Sequence, residues 1–269
     1  MSVDIHPTTV TPVSTSAYAR MVRPFADVRR TDTPTVGGKG ANLGEMIAAG
    51  LPVPPGFVLS IDAYEAFCSA NELGPRLAAE LEGIRPDDPA ALSELSSRLR
   101  QITLGGTMPD GLQAAIENAY ALLIGPDASR PRVAVRSSAT AEDTAQFSFA
   151  GMFESFLNVS GADALVDAVK KCWASTFGAR VLYYRITQGM PAEMPVAVIV
   201  QQMVSSEKSG VMFTIDPANR DSSKIVIEAA WGLGESVVQG AVTPDRHLID
   251  KQSLEVLSTT ISEKEFLLT

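Results

Sequence analysis

The sequence is poor in cysteine and lacks long hydrophobic runs, and each absence excludes a class of protein. Its two cysteines, Cys68 and Cys172, are too few for a disulfide framework or a four-cysteine zinc site, so we expect buried free thiols. No segment approaches the roughly 18 consecutive apolar residues of a membrane-spanning helix. The N-terminus lacks a basic segment followed by an apolar core, the pattern of a secretory signal. These absences predict a cytoplasmic protein without a membrane partner.

Positive charge is also scarce. Lys and Arg total 22 against 31 Asp and Glu, which gives a net charge of −9. Because a general nucleic-acid binder usually carries the opposite sign, we expect no nucleic-acid partner. A small anionic ligand is not excluded, since a phosphate pocket needs only a few cations and backbone amides. The hydrophobic fraction of 45% and the charged fraction of 20% exclude a wholly disordered chain and a collagen-like one.

Hydrophobic periodicity predicts an α+β chain with two lobes after a disordered tail at residues 1–20. The predicted helices cover 61–71, 89–104, 110–123, 162–178 and 179–187, and the predicted strands cover 57–60, 132–136, 156–159, 195–204, 210–215, 224–229, 247–250 and 254–260. Residues 137–150 are small and polar and predict a loop. Because helices and strands do not alternate strictly, α+β is favoured over a doubly wound sheet. We assign 21–190 to an N-terminal lobe and 191–269 to a second lobe.

A glycine-rich loop, Gly37-Gly38-Lys39-Gly40, precedes a helix that is predicted to begin near Ala41. Glycines let the backbone approach an anion closely, and the start of a helix offers N–H groups and a partial positive charge. Lys39 adds a mobile point charge that suits a phosphate. The pattern is not a P-loop, because GxxxxGK[ST] is absent. The alternative is an ordinary turn that carries a surface lysine.

A second candidate is the arginine that is predicted to end a strand, Arg136, with the hydroxyl residues Ser137, Ser138 and Thr140 that follow it. A guanidinium beside hydroxyl and amide donors is a natural cradle for a polyphosphate. The alternative is a surface loop in which the arginine caps the chain or pairs with Glu142.

Two further candidates follow the long apolar strand. The residues Gln202, Met203 and Val204 lie where that strand ends, and they can present backbone groups and a thioether to an adenine ring. An ordinary core strand leaving the sheet is the alternative. Farther along, Glu228 and Glu235 flank a glycine-bearing turn, and Gln239 follows; carboxylates there suit ribose hydroxyls or Mg²⁺. The alternative for Glu235 is a solvated residue at the start of a helix.

Several longer segments carry a resemblance to a known family. In chain order they read GGKGANLGEM, LPVPPGFVLS, VAVRSSATAED, FSFAG, KKCWASTFGARVLYYR, QQMV, SGVMFTIDP and WGLGESVVQGAVTPD. Together they closely resemble the N-terminal ATP-binding domain of phosphoenolpyruvate synthase (pyruvate, water dikinase), which is shared with pyruvate, phosphate dikinase and rifampicin phosphotransferase. The resemblance extends from about Thr35 to Asp245. One departure is that Met152 and Phe153 stand where the synthase usually has two glutamines.

The resemblance implies an ATP-grasp fold with the nucleotide between two α+β lobes. By this resemblance, the ATP phosphates are expected to contact Lys39 and Arg136 and to be surrounded by Gly38, Ser137, Ser138 and Thr140. The adenine is expected to contact Gln202, Met203 and Val204. Weaker candidates for contacts with the sugar and phosphates are Glu228 and Gln239. The resemblance also implies Mg²⁺ bridging the phosphates. The metal ligands are unassigned, since the family's acidic segment is expected beyond Thr269, which leaves the second lobe incomplete.

Complete members of the family pass phosphate from ATP to a histidine on a swivelling domain and then to pyruvate in a third domain. The resemblance therefore implies a carrier domain and a pyruvate-binding domain as partners, in the same polypeptide or a separate subunit. Of the two histidines, His6 lies in the tail, and His247 lies on a predicted strand without the small, hydroxyl-bearing surroundings of a carrier histidine, so this chain alone is expected to be inactive. The alternatives are a rifampicin-type antibiotic phosphotransferase fragment, which the WGLGE and VVQG segments disfavour, and a module that binds nucleotide without turnover.

Overall fold

A computed structural model describes residues 15–81, 88–125, 132–139, 153–189 and 194–269. The chain forms two compact units, which divide between Met203 and Val204. Each contains its own antiparallel sheet, and the mixture of helix and sheet confirms the α+β prediction. None of the described helices has the length and hydrophobicity that crossing a bilayer requires.

The first unit combines a five-stranded sheet with helices. Its helices are α1 (Thr15–Met21), α2 (Thr33–Ala48), α3 (Ile61–Ala70), α4 (Leu73–Leu81), α5 (Pro89–Leu104), α6 (Asp110–Ile124), α7 (Ala162–Ser175) and α8 (Ala179–Thr187). Its strands are β1 (Val22–Pro24), β2 (Gly56–Leu59), β3 (Val133–Ala139), β4 (Ser155–Val159) and β5 (Val196–Gln202), in the spatial order β1-β2-β5-β3-β4. Local signals explain several boundaries. For example, α5 begins where the Asp88 carboxylate accepts the N–H groups of Ala90 and Ala91.

The two faces of this sheet pack against different parts of the chain. We call the face that carries Val133, Val135, Val198 and Val200 the core face, because it packs against the larger hydrophobic cluster, which includes Trp173. The opposite face, called the α2 face, carries Ala134, Arg136, Ser138, Ala197 and Ile199, and the last two pack in a smaller cluster with residues of α2. Side chains alternate between faces along a strand. Since β5 is covered on both sides, its sequence is almost wholly apolar, as the prediction of a buried central strand requires.

The second unit has a four-stranded sheet and one short helix among its described residues. The strands are β6 (Lys208–Phe213), β7 (Lys224–Trp231), β8 (Asp245–Asp250) and β9 (Val256–Thr260), in sequential order, and the helix is α9 (Glu235–Val238). After β9 the chain returns along the unit, where the Leu233 N–H donates to the Leu268 carbonyl at 2.8 Å. The ammonium of Lys264 also contacts the carboxylate of Asp245.

Several features differ from the sequence-based expectations. Helix α1 begins at Thr15, inside the segment 1–20 for which a disordered tail was predicted, and its residues Tyr18 and Met21 pack against the larger cluster. Helix α4 was not predicted. Strand β3 continues through Ala139, so Ser137 and Ser138 lie in a strand and not in a loop. The division between units falls after Met203 instead of at 190/191, because β5 lies at the centre of the first sheet.

Candidate functional site

The glycine-rich segment interrupts α2 instead of preceding a helix. The backbone of Gly37 has φ 72° and ψ 168°, which breaks α2 into a short first segment and a longer one that starts at Gly38. This region of backbone conformation is essentially confined to glycine. A Cβ at this position would also overlap the carbonyl and hydroxyl oxygens of Ser138. The helix therefore starts earlier than the predicted Ala41, and Lys39 lies in its first turn.

One buried hydroxyl connects this break to the sheet. The Oγ of Ser138 accepts a hydrogen bond from the Gly40 N–H at 3.1 Å and donates one to the Val36 carbonyl at 2.9 Å. Ser138 is fully buried. Its hydroxyl thus holds both sides of the Gly37 break against β3.

Arg136 lies on the same face of β3 as Ser138. It pairs with Ile199 of β5 and is exposed, in the middle of the strand and not at its end as predicted. Within the described part of the chain, its guanidinium forms no hydrogen bond or ion pair. The alternative partner, Glu142, lies outside the described residues. The structure therefore places an exposed guanidinium on the face that the helix carrying Lys39 covers.

The remaining hydroxyl candidates do not join this face. Ser137 alternates to the core face, where it pairs with Val198 and is buried. Its side chain therefore points away from Arg136. Thr140 lies outside the described residues.

The candidate adenine residues lie at the end of β5. Gln202 pairs with Val133, and its side chain alternates to the core face, while its N–H donates to the Pro55 carbonyl at 2.9 Å. The Sδ of Met203 accepts a hydrogen bond from the Asn158 N–H at 3.0 Å, so this side chain is directed towards β4. Val204 is exposed.

The separation along the sheet suits an extended ligand. Arg136 pairs with Ile199, three positions before Gln202, so the two candidate regions lie roughly 10 Å apart along the strands. Sequence reasoning missed Gln201, which shares the α2 face with Arg136 and donates from Nε2 to the Pro54 carbonyl at 3.1 Å. Strand alternation from Arg136 through the β3–β5 register is the signal that identifies it.

The candidates of the second unit already have protein partners. Glu228 lies opposite Arg246, whose Nε is 3.9 Å from the Glu228 carboxylate. Arg246 also contacts the buried carboxylate of Asp216 at 3.4 Å. A hydrogen bond from the side chain of Asn219 is the main cause that lowers the pKa of Asp216.

Two further residues of the second unit were singled out from the sequence. Gln239 follows α9 and donates from Nε2 to the Glu235 carboxylate at 2.7 Å. The Nδ1 of His247, on β8, is 3.1 Å from the Thr259 hydroxyl. Among the residues that the structure describes, no three histidine, cysteine or acidic side chains converge as a metal site.

Comparison with known proteins identifies the kind of domain. Residues 33–269 match the family described as "Pyruvate phosphate dikinase, AMP/ATP-binding domain". A protein of Staphylothermus marinus named "Probable phosphoenolpyruvate synthase" is 46% identical over 242 residues, which cover 88% of this chain and 29% of the relative. The "Phosphoenolpyruvate synthase" of Aeropyrum pernix is 45% identical over 254 residues, covering 91% of this chain and 30% of the relative.

A third relative is larger still. The "Probable phosphoenolpyruvate synthase" of Methanocaldococcus jannaschii is 43% identical over 243 residues, which cover 89% of this chain and 20% of the relative. The chain thus spans between a fifth and a third of the length of these relatives.

Proposed function

Because the chain belongs to the pyruvate phosphate dikinase AMP/ATP-binding domain family, we propose that it binds ATP for a dikinase that resembles phosphoenolpyruvate synthase. The observation that carries the proposal is the junction of α2 with β3. There, the helix that carries Lys39 starts against the strand that carries the exposed Arg136, and Ser138 holds the two together. The first turn of a helix and a guanidinium both favour an anion, and a triphosphate has the charge and length to contact both.

The proposed mechanism is positioning and charge neutralisation. In phosphoryl transfer, charge spreads over the oxygens of the transferred group, and fixed cations stabilise it. Lys39 and Arg136 supply those cations, and backbone groups near Met203 contact the adenine. We further propose that a histidine on another domain accepts the phosphoryl group and passes it to pyruvate. The names of the relatives support this pathway over a rifampicin-type enzyme or a non-catalytic module.

The finer architecture and the metal belong to the same proposal. The family resemblance supports an ATP-grasp arrangement of two lobes, with Glu228 and Gln239 near the sugar and phosphates. It also implies Mg²⁺, which would neutralise phosphate charge. The described residues do not converge as a complete metal site, so no step proposed here depends on a metal ligand from this chain.

The experiment is a measurement of ATP affinity by titration calorimetry with two variants, Lys39→Ala and Arg136→Ala. Each removes a charge-assisted contact worth about 1–3 kcal/mol, which weakens binding by roughly five- to 150-fold. The matched controls are Lys171→Ala on α7 and Arg180→Ala on α8, which remove one exposed cation each from helices that contribute to the larger hydrophobic cluster. These controls should bind ATP like the parent. A parent chain without ATP affinity would overturn the proposal.

A further inference from the structure

The hydroxyl of Ser138 spans the break in α2. Its two hydrogen bonds reach Val36, just before Gly37, and Gly40, just after it. These partners lie about a hundred residues away along the chain, yet they converge on one buried side chain. Gly37 is not helical, so α2 is interrupted between these two partners. The Ser138 hydroxyl therefore bonds one backbone group on each side of the break.

The same two bonds leave Ser138 unable to donate to a phosphate. A serine hydroxyl has one hydrogen to donate and two lone pairs that accept. The hydrogen goes to the Val36 carbonyl, and one lone pair takes the Gly40 N–H. A fully ionised phosphate carries no hydrogen, so its oxygens can accept hydrogen bonds but cannot donate them. Contact with phosphate would therefore require Ser138 to abandon the buried carbonyl of Val36, which is costly.

The position of Ser138 links the two proposed phosphate contacts. Arg136 is two residues away on the same face of β3, a separation of about 7 Å. Lys39 is the immediate neighbour of Gly40, whose N–H the Ser138 hydroxyl receives. One side chain thus joins the strand that carries Arg136 to the helical turn that carries Lys39.

We infer that Ser138 is a positioning residue, which fixes Lys39 relative to Arg136 and does not itself bind phosphate. The inference rests on the proposed function, since it assigns a role within the same ATP site. Without the hydroxyl, the α2 segment that starts at Gly38 is no longer tied to β3. Lys39 then samples several positions, and in some of them it cannot contact the same phosphate chain as Arg136. The entropy lost when ATP binding fixes Lys39 in one position reduces the affinity.

The test is a double-mutant cycle on the full 269-residue chain, with ATP affinity measured by calorimetry and stability measured separately by urea unfolding. The variants are Ser138→Ala, Lys39→Ala and the double substitution. If Ser138 acts through Lys39, Ser138→Ala weakens ATP binding about tenfold in the parent but less than twofold when Lys39 is already alanine. A purely structural serine would weaken binding by the same factor in both backgrounds, and that result would overturn the inference.

Ser175 supplies the matched control. Ser175→Ala also removes a buried hydroxyl, one that donates to the Cys172 carbonyl within α7, so it should leave ATP affinity unchanged in both backgrounds. An equal loss of affinity from Ser175→Ala would contradict the inference. Should Ser138→Ala not fold, Ser138→Cys keeps a weak donor at the same position, and the same dependence on Lys39 is expected. If the parent binds no ATP, the proposed function fails instead. If Lys39→Ala weakens binding but Ser138→Ala does not, only the positioning role fails.

Discussion

Substitution of Gly37 by alanine should destabilise the first unit by more than an ordinary glycine substitution at positive φ. Two effects add at this position. Placing a side chain at φ 72° and ψ 168° costs about 1–3 kcal/mol in backbone strain. The new Cβ also overlaps Ser138, so α2 must move away from β3 and weaken two hydrogen bonds worth about 0.5–1.5 kcal/mol each. The expected total is roughly 2–6 kcal/mol, a large part of the 5–15 kcal/mol that stabilises a typical domain.

A second glycine separates the two effects. Gly50 follows α2 with φ 77°, but a Cβ there would meet no atom within 4 Å. Gly50→Ala therefore introduces backbone strain alone, at about 1–2 kcal/mol. The difference between the two variants contains the contact between Gly37 and Ser138 together with any additional strain at φ 72° and ψ 168°.

The assay is urea unfolding followed by tryptophan fluorescence. The chain has two tryptophans. Trp173 is fully buried beside Phe67 in the first unit, and Trp231 is half-exposed in the second. In a Trp231→Phe background, Trp173 reports on the first unit alone. If Gly37→Ala is no more destabilising than Gly50→Ala, the close approach of α2 to β3 does not contribute as described.

Three other outcomes are expected. Acid should destabilise the second unit, because hydrogen bonds from Lys224 to Asp250 and from Lys264 to Asp245 lower the pKa of both carboxyls. Their contribution is complete above the ordinary aspartate pKa of about 3.9 and is lost as the pH falls towards the native values. Trp231 emission in a Trp173→Phe variant should therefore change between about pH 4 and pH 2. Emission that stays constant over this range would contradict the expected acid destabilisation. A thiol reagent should modify half-buried Cys68 before Cys172, because burial raises the pKa of the Cys172 thiol; equal rates in the native chain would refute this. When the chain is mixed with the remaining domains of a relative and γ-labelled ATP, a histidine should become labelled. Arg136→Ala should slow this labelling, and an unchanged rate would refute the role proposed for Arg136.

The sequence predicted those elements whose packing is written in local patterns. Strand β5 was identified because both of its faces are covered, which requires apolar residues at consecutive positions. Helix α5 was identified because its apolar residues recur at helical spacing, and several of them, such as Leu95 and Leu99, are fully buried.

The misassigned segments depend on distant contacts. Ser137 and Ser138 have the composition of a loop, but they lie in β3 because they pair with β5, and the Ser138 hydroxyl also finds partners in α2. No local pattern reveals those partners. Helix α1 was missed for a similar reason, since its segment has no useful periodicity and is ordered through the packing of Tyr18 and Met21 on the larger cluster. Helix α4 starts directly after Glu72, which has φ 49°, an uncommon conformation that a propensity argument does not anticipate.

The site residues stay a prediction, and the structure shows only which of them share an element or a face. The glycine-rich segment with Lys39 and the arginine Arg136 were chosen because both suit an anion. The structure places Lys39 on α2 and Arg136 on β3, the two elements that meet at the Gly37 break. The two serines were grouped because they are adjacent in sequence. Strand alternation separates them, with Ser137 on the core face and Ser138 against α2. Adjacent hydroxyls in a strand cannot line the same ligand with their side chains.

The candidates of the two units also differ in what a ligand must displace. Arg136 lies on a strand that neighbours hold on both sides, and an anion that contacts it breaks no bond to the residues that the structure describes. Glu228 faces Arg246, which also contacts Asp216, and Gln239 is bonded to Glu235. A ligand that uses these side chains must compete with those contacts, and a partly exposed ion pair is worth only about 0–1 kcal/mol. The competition is weak enough to permit binding, but it reduces the net gain. The larger part of the affinity for phosphate should therefore reside in the first unit, with Arg136.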